Sequence, residues 1–107
     1  MDASKVTIAV DETHSVSGLL IVPDNPFACF VLAHGAGAGM THPFMAAVAN
    51  GMRHRGIATL RYQFPYMERG SGRPDPAPIC HATVRAAVEE AQGGLALDRA
   101  VQDLLLG

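Results

Sequence analysis

Seven consecutive apolar residues, Phe27 to Ala33, constrain this chain more than any other feature. The run has no polar alternation, so neither face of the strand it forms is suited to water. Such strands lie in the parallel part of a sheet that is covered on both faces. The run opens directly onto His34-Gly35-Ala36-Gly37-Ala38-Gly39, a glycine-rich exit. Thr41 then suits a helix N-cap and Pro43 a first helical turn. Phe44, Val48 and Met52 recur at helical spacing, with Met45 and Ala49 beside them, and Gly56 stands where a C-terminal cap belongs. Ile57 to Phe64 reads as the next strand. Residues 27–64 are thus expected to form one strand–helix–strand unit, closed as a right-handed parallel crossover.

The flanks extend this unit. Lys5 to Val10 and Val16 to Val22 are β-type runs separated by the polar turn Asp11-Glu12-Thr13-His14, and they are expected to pair antiparallel. Pro23-Asp24-Asn25-Pro26 breaks the second run. A long proline-rich loop is expected from Pro65 to Pro78, either functional or flexible. Pro78 then opens a second helix with Cys80, Val84, Ala87, Val88 and Ala91 on one face, and Gly93-Gly94 stops it. Leu95 to Leu106 has the spacing of a short third helix. With 107 residues, no internal repeat and no linker, the chain is expected to form one domain.

Composition narrows the function classes. At 49% hydrophobic and 17% charged, the sequence is core-forming rather than disordered. A net charge of −2 leaves no electrostatic footprint for nucleic acid or an anionic membrane. Arg53, Arg55, Arg61, Arg69 and Arg73 could form a phosphate patch, but a solvated helix end followed by a polar loop accounts for them more simply. No apolar stretch suits a signal peptide or a membrane span. Cys29 and Cys80 lack the spacing of a metal knuckle, and Cys29 reads as a small core hydrophobe. A cytoplasmic protein with reduced thiols is expected.

Successive backbone N–H groups in the loop His34 to Gly39 can converge on an oxyanion or phosphate, although a tight turn needing glycine explains the loop equally well. A dinucleotide loop is excluded by the spacing of Gly35, Gly37 and Gly39, and by the absence of an acidic residue in Arg61-Tyr62-Gln63 at the end of the next strand. No cofactor is called for. His42, His54 and His81 read as surface or capping residues, and no two histidines have metal-ligand spacing on one helix face, so no metal site is assigned.

Several segments, taken in order, resemble a known family. Val16-Ser17-Gly18-Leu19-Leu20, Leu32-Ala33-His34-Gly35-Ala36-Gly37-Ala38-Gly39-Met40, His42-Pro43-Phe44-Met45, the stretch from Gly56 to Met67, and Arg73-Pro74-Asp75 are similar to predicted α/β-hydrolases related to dienelactone hydrolases. That family includes the hydrolase-like subunit of a histone-acetylation complex. The resemblance runs from about Val16 to about Gln92. It implies a partial α/β-hydrolase fold: an antiparallel strand pair, a strand–helix–strand unit and a further helix, in an incomplete three-layer arrangement. The strand from Ile57 would lie between the second and third strands. His34, Gly35, Ala36 and Gly37 would form the oxyanion loop, with the N–H of Ala36 or Gly37 as one donor. Phe64, Pro65 and Tyr66 would flank the cleft.

The same resemblance implies a fifth strand ending in a Gly-x-Ser-x-Gly elbow, then an acid and a histidine. The chain departs from that pattern at Gly93, and residues 93–107 form a divergent tail. Of Ser4, Ser15, Ser17 and Ser71, none stands in an elbow; Ser71 lacks the glycine two positions before it. No catalytic residue is therefore assigned, and an inactive N-terminal fragment is expected. A strand-edge interaction module and one half of a two-chain hydrolase are the alternatives. The apolar edge of Phe27 to Ala33 is the expected pairing surface, for a second copy or for a complementary chain.

Overall fold

The computed structural model describes residues 3–33 and 39–95. Strands β1 (Ser4–Ala9) and β2 (Ser15–Ile21) form an antiparallel hairpin. Its turn is held by Asp11, whose Oδ1 accepts from the N–H groups of Thr13 and His14 at 2.8 and 2.7 Å. These hydrogen bonds and the His14 ring hold the Asp11 carboxyl down at about 2.

Strand β3 (Ala28–Ala33), helix α1 (Pro43–Arg53) and strand β4 (Ile57–Tyr62) follow. β3 and β4 pair in parallel, Ala28 with Ile57 through Ala33 with Tyr62, so the strand–helix–strand expectation holds. β4 also pairs antiparallel with β2, which gives the order β1-β2-β4-β3. The N-cap of α1 differs from expectation. His42 takes that place, its Nδ1 accepting from the Phe44 N–H at 3.1 Å, because Pro43 fixes the first turn one residue beyond Thr41. Gly56 has φ +77°, the left-handed conformation that turns the chain from α1 into β4.

Two short differences follow β4. The stretch expected as a loop contains a helical turn, α2 (Pro65–Glu68), started by Pro65. Helix α3 (Ala77–Leu95) then runs through Gly93-Gly94 instead of stopping there. Glycine in a helix costs only about 1 kcal/mol, and Gly93 has no left-handed φ to reverse the chain. The third helix expected over Leu95 to Leu106 lies outside the described residues.

The two faces of β4 divide the core. Ala58, Leu60 and Tyr62 join Ile8, Val16 and Cys29 in one cluster with Ala87 and Ala91 of α3. The alternating Thr59 and Arg61 are buried on the opposite face, and α1 packs on β4 through buried Met45 and Ala49. The helix faces are narrower than their apolar patterns. Phe44 is 63% exposed on α1, and Val84 is 42% exposed on α3, whose buried seam is Thr83, Ala87 and Ala91. Both helices extend beyond a sheet that ends, among the described residues, at β3.

The hairpin and β4 pack tightly around Gly18. A methyl group there would stand 2.9 Å from Val6 Cγ2 and 3.1 Å from the Arg61 carbonyl oxygen. Gly18→Ala is expected to destabilise the fold by about 1–3 kcal/mol, read as a lowered midpoint of urea unfolding. Burial also pushes the Cys29 thiol up to about 11. Iodoacetamide at pH 8 should therefore leave Cys29 unmodified in the native chain and alkylate it after denaturation.

Candidate active-site cleft

Parallel strands leave a crevice beyond their carboxyl ends, where the connections diverge. The chain has a cavity of about 520 Å³ at that position. Its walls include Gly39 beyond β3, Gln63 beyond β4, Tyr66 and Met67 of α2, and Ser71 in the following turn. Each wall is fixed by a separate set of hydrogen bonds.

The β3 side is anchored from β4. Arg61 is 5% exposed, and its Nη1 donates to the Met40 carbonyl at 3.1 Å. Its Nε has no partner among the described residues, and burial lowers the pKa of the guanidinium. One buried cation thus ties the backbone one residue beyond Gly39 to the strand that begins the opposite wall. Gly39 itself lies against Gln63; a Cβ at residue 39 would be 2.9 Å from Gln63 Oε1.

The α2 side is braced by two carboxylates. Glu68 accepts from the Ser17 N–H, from Ser17 Oγ at 3.3 Å and from Gln63 Nε2 at 3.2 Å, fastening α2 to β2 and β4. Asp75, its side chain 4% exposed, accepts from the Tyr66 N–H at 2.8 Å and from Arg69 Nη2 at 3.1 Å. The segment 66–75 is therefore a closed turn, with Gly70 at φ +70° allowing the reversal. Ser71 Oγ accepts from the Arg73 N–H at 3.1 Å, and no histidine hydrogen-bonds to it among the described residues.

The residues singled out from sequence are placed as follows. Tyr66 lines the cavity. Phe64 packs against the core cluster and stacks on Tyr66 with ring centroids 6.3 Å apart, and Pro65 is buried as the first residue of α2. His34, Gly35, Ala36 and Gly37 lie outside the described residues. Gln63, Glu68 and Asp75 were not expected to take part. The sequence did place Gln63 at a strand end and Asp75 after a proline, but pairings between distant residues, such as Ser17 with Glu68, 51 positions apart, leave no local signal. The five clustered arginines do not share one surface. Arg53 ends α1 and Arg55 lies in the turn before β4, with its Nη1 on the Gly51 carbonyl, while Arg61 and Arg69 serve the carboxyl end of that strand. No group of three metal-ligating side chains occurs among the described residues, and no helix there is long and apolar enough to cross a membrane.

A family model for the α/β-hydrolase domain matches residues 26–106. The chain belongs to the α/β-hydrolase family. Its fold is that of an α/β serine hydrolase homologue from Coxiella burnetii, at a TM-score of 0.72 and 16% identity, over 92% of this chain and 49% of that one. Dienelactone hydrolase from Anabaena variabilis superposes at 0.69 with 20% identity, over 86% of this chain and 46% of the other. Est1E from Butyrivibrio proteoclasticus superposes at 0.66 with 18% identity, covering 86% and 35%. The chain therefore spans less than half the length of these α/β-hydrolase structures, and it corresponds to the N-terminal portion of the family fold. No curated protein matches the chain.

Asp75 is a charged group with a buried side chain that braces the cleft. Asp75→Ala would leave the Tyr66 N–H without its acceptor and Arg69 without its partner. A loss of about 1–3 kcal/mol in urea unfolding is expected, together with faster trypsin cleavage after Arg69.

Proposed function

We propose that this chain is the N-terminal part of a serine-dependent hydrolase of ester, thioester or lactone bonds, and that it does not turn over substrate by itself. Residues 1–107 form one incomplete domain in this reading. The observation that carries it is the braced cavity at the carboxyl ends of β3 and β4, directly beyond the glycine-rich segment. In this reading His34, Gly35, Ala36 and Gly37 form the oxyanion loop. The N–H of Ala36 or Gly37 would stabilise the negative charge that develops on the carbonyl oxygen during acyl transfer. In this reading Arg61 holds the far end of that loop through the Met40 carbonyl.

A nucleophile, a base and an acid are needed as well, and none of the four serines stands in an elbow. Ser71 lies in the cleft, but its turn follows a short helix rather than a strand. Incubation of the chain with p-nitrophenyl acetate is expected to release p-nitrophenol no faster than buffer does, and a fluorophosphonate probe should leave the chain unlabelled. Turnover with a labelled serine would contradict the proposal.

Among the described residues β3 is bonded to β4 alone, and that edge favours a second reading, in which the chain pairs through it with another copy or with the chain that supplies the missing strands. Phe30 is 44% exposed there, beside a groove of about 450 Å³ lined by Cys29, Val31, Met52, Val84 and Val88. Sedimentation equilibrium distinguishes the two occupants. Self-pairing gives a concentration-dependent dimer that Phe30→Lys abolishes, whereas a sheet awaiting a complementary chain stays monomeric alone.

A further inference from the structure

Among the described residues, Gln63 is a cleft side chain whose orientation is fixed and whose amide oxygen is unpaired. Gln63 is half-buried immediately after β4, with its backbone N–H on the Ser17 carbonyl at 3.3 Å. Its Nε2 donates to Glu68 Oε1 at 3.2 Å, and Glu68 is itself held by the N–H and hydroxyl of Ser17. A carboxylate only accepts, so the NH₂ end of the amide must face Glu68. The oxygen end is thereby turned toward Gly39 on the opposite wall, where a Cβ would stand 2.9 Å away. Among the described residues Gln63 Oε1 has no hydrogen-bond partner. The other polar side chains of the cavity, the hydroxyls of Tyr66 and Ser71, can each donate or accept. Gln63 Oε1 can only accept.

We propose that Gln63 is a specificity-determining residue of this cleft. Its amide oxygen, held by Glu68, selects esters or lactones that carry a hydroxyl near the carbonyl. The proposal rests on the reading of the cavity as a substrate cleft. A site that leaves a fixed acceptor unpaired discriminates against the analogue that lacks the donor. Glycine at residue 39 fits the same geometry, since any side chain there would meet the oxygen.

The test uses the whole chain, labelled with ¹⁵N, and two probes that differ only in the donor: ethyl lactate and its O-methyl ether, ethyl 2-methoxypropanoate. Titration followed by amide chemical shifts should move the Gly39, Tyr66 and Gln63 side-chain signals, with the hydroxy ester bound on the order of tenfold more tightly. Gln63→Met should bring both probes to the weaker affinity. Glu68→Gln can both donate and accept, so it frees the Gln63 amide to turn over and should reduce the preference; it decides the matter if Gln63→Met does not fold. Equal affinity of the two esters, with shifts still centred on the cleft, overturns the role of Gln63 and leaves the cleft standing. Shifts at the cleft with neither ester overturn both.

Discussion

The pairing of β4 with β2 on one side and β3 on the other is the interaction on which the remaining contacts depend. It joins an antiparallel hairpin to a parallel unit in a single sheet. It also gives β4 two buried faces, so that Leu60 and Tyr62 reach α3 while Thr59 and Arg61 lie toward α1. The positions of Arg61 and Gln63 at the carboxyl end follow from the same register. Tyr62 lies opposite both Gly18 and Ala33, so the two residues around it reach the beginning of both cleft walls. A one-residue slip of β4 would exchange its faces, turning Leu60 away from α3 and removing Arg61 from Met40.

The architecture was legible because its signals are local. The uninterrupted run from Phe27 to Ala33, the cap chemistry around Pro43 and Gly56, and the breaker at Pro23 to Pro26 are each properties of adjacent residues, and they place β3, α1 and β4 within one or two positions. The differences arise where tertiary context outweighs local preference. Gly93-Gly94 looked like a stop, yet α3 continues because its seam of Thr83, Ala87 and Ala91 is already docked on the sheet. Val84 and Phe44 read as core from their spacing and are exposed, since spacing identifies an apolar stripe but not how far the sheet beneath it extends.

The site was legible only in outline. Tyr66 and the glycine-rich exit from β3 could be marked from their place in an ordered pattern. The groups that fix the cleft could not, because each acts through a partner distant in sequence: Arg61 through Met40, Glu68 through Ser17, Asp75 through Tyr66 and Arg69. Three of these braces use a charged side chain to hold a backbone carbonyl or N–H group. The cleft wall is thus preorganised by the N-terminal portion of the fold, independently of where the nucleophile resides.

The central claim is that, among the described residues, β3 is an edge strand bonded to β4 alone. Amide hydrogen exchange measured residue by residue along β3 and β4 at low protein concentration tests it most directly. An edge strand directs every second N–H at its only neighbour, so slow and fast exchange should alternate from Ala28 to Ala33, while the interior amides of β4 are protected without a break. Uniform protection along β3 would show that its outer edge is already covered, and uniform fast exchange that it does not pair with β4; either result would contradict the account.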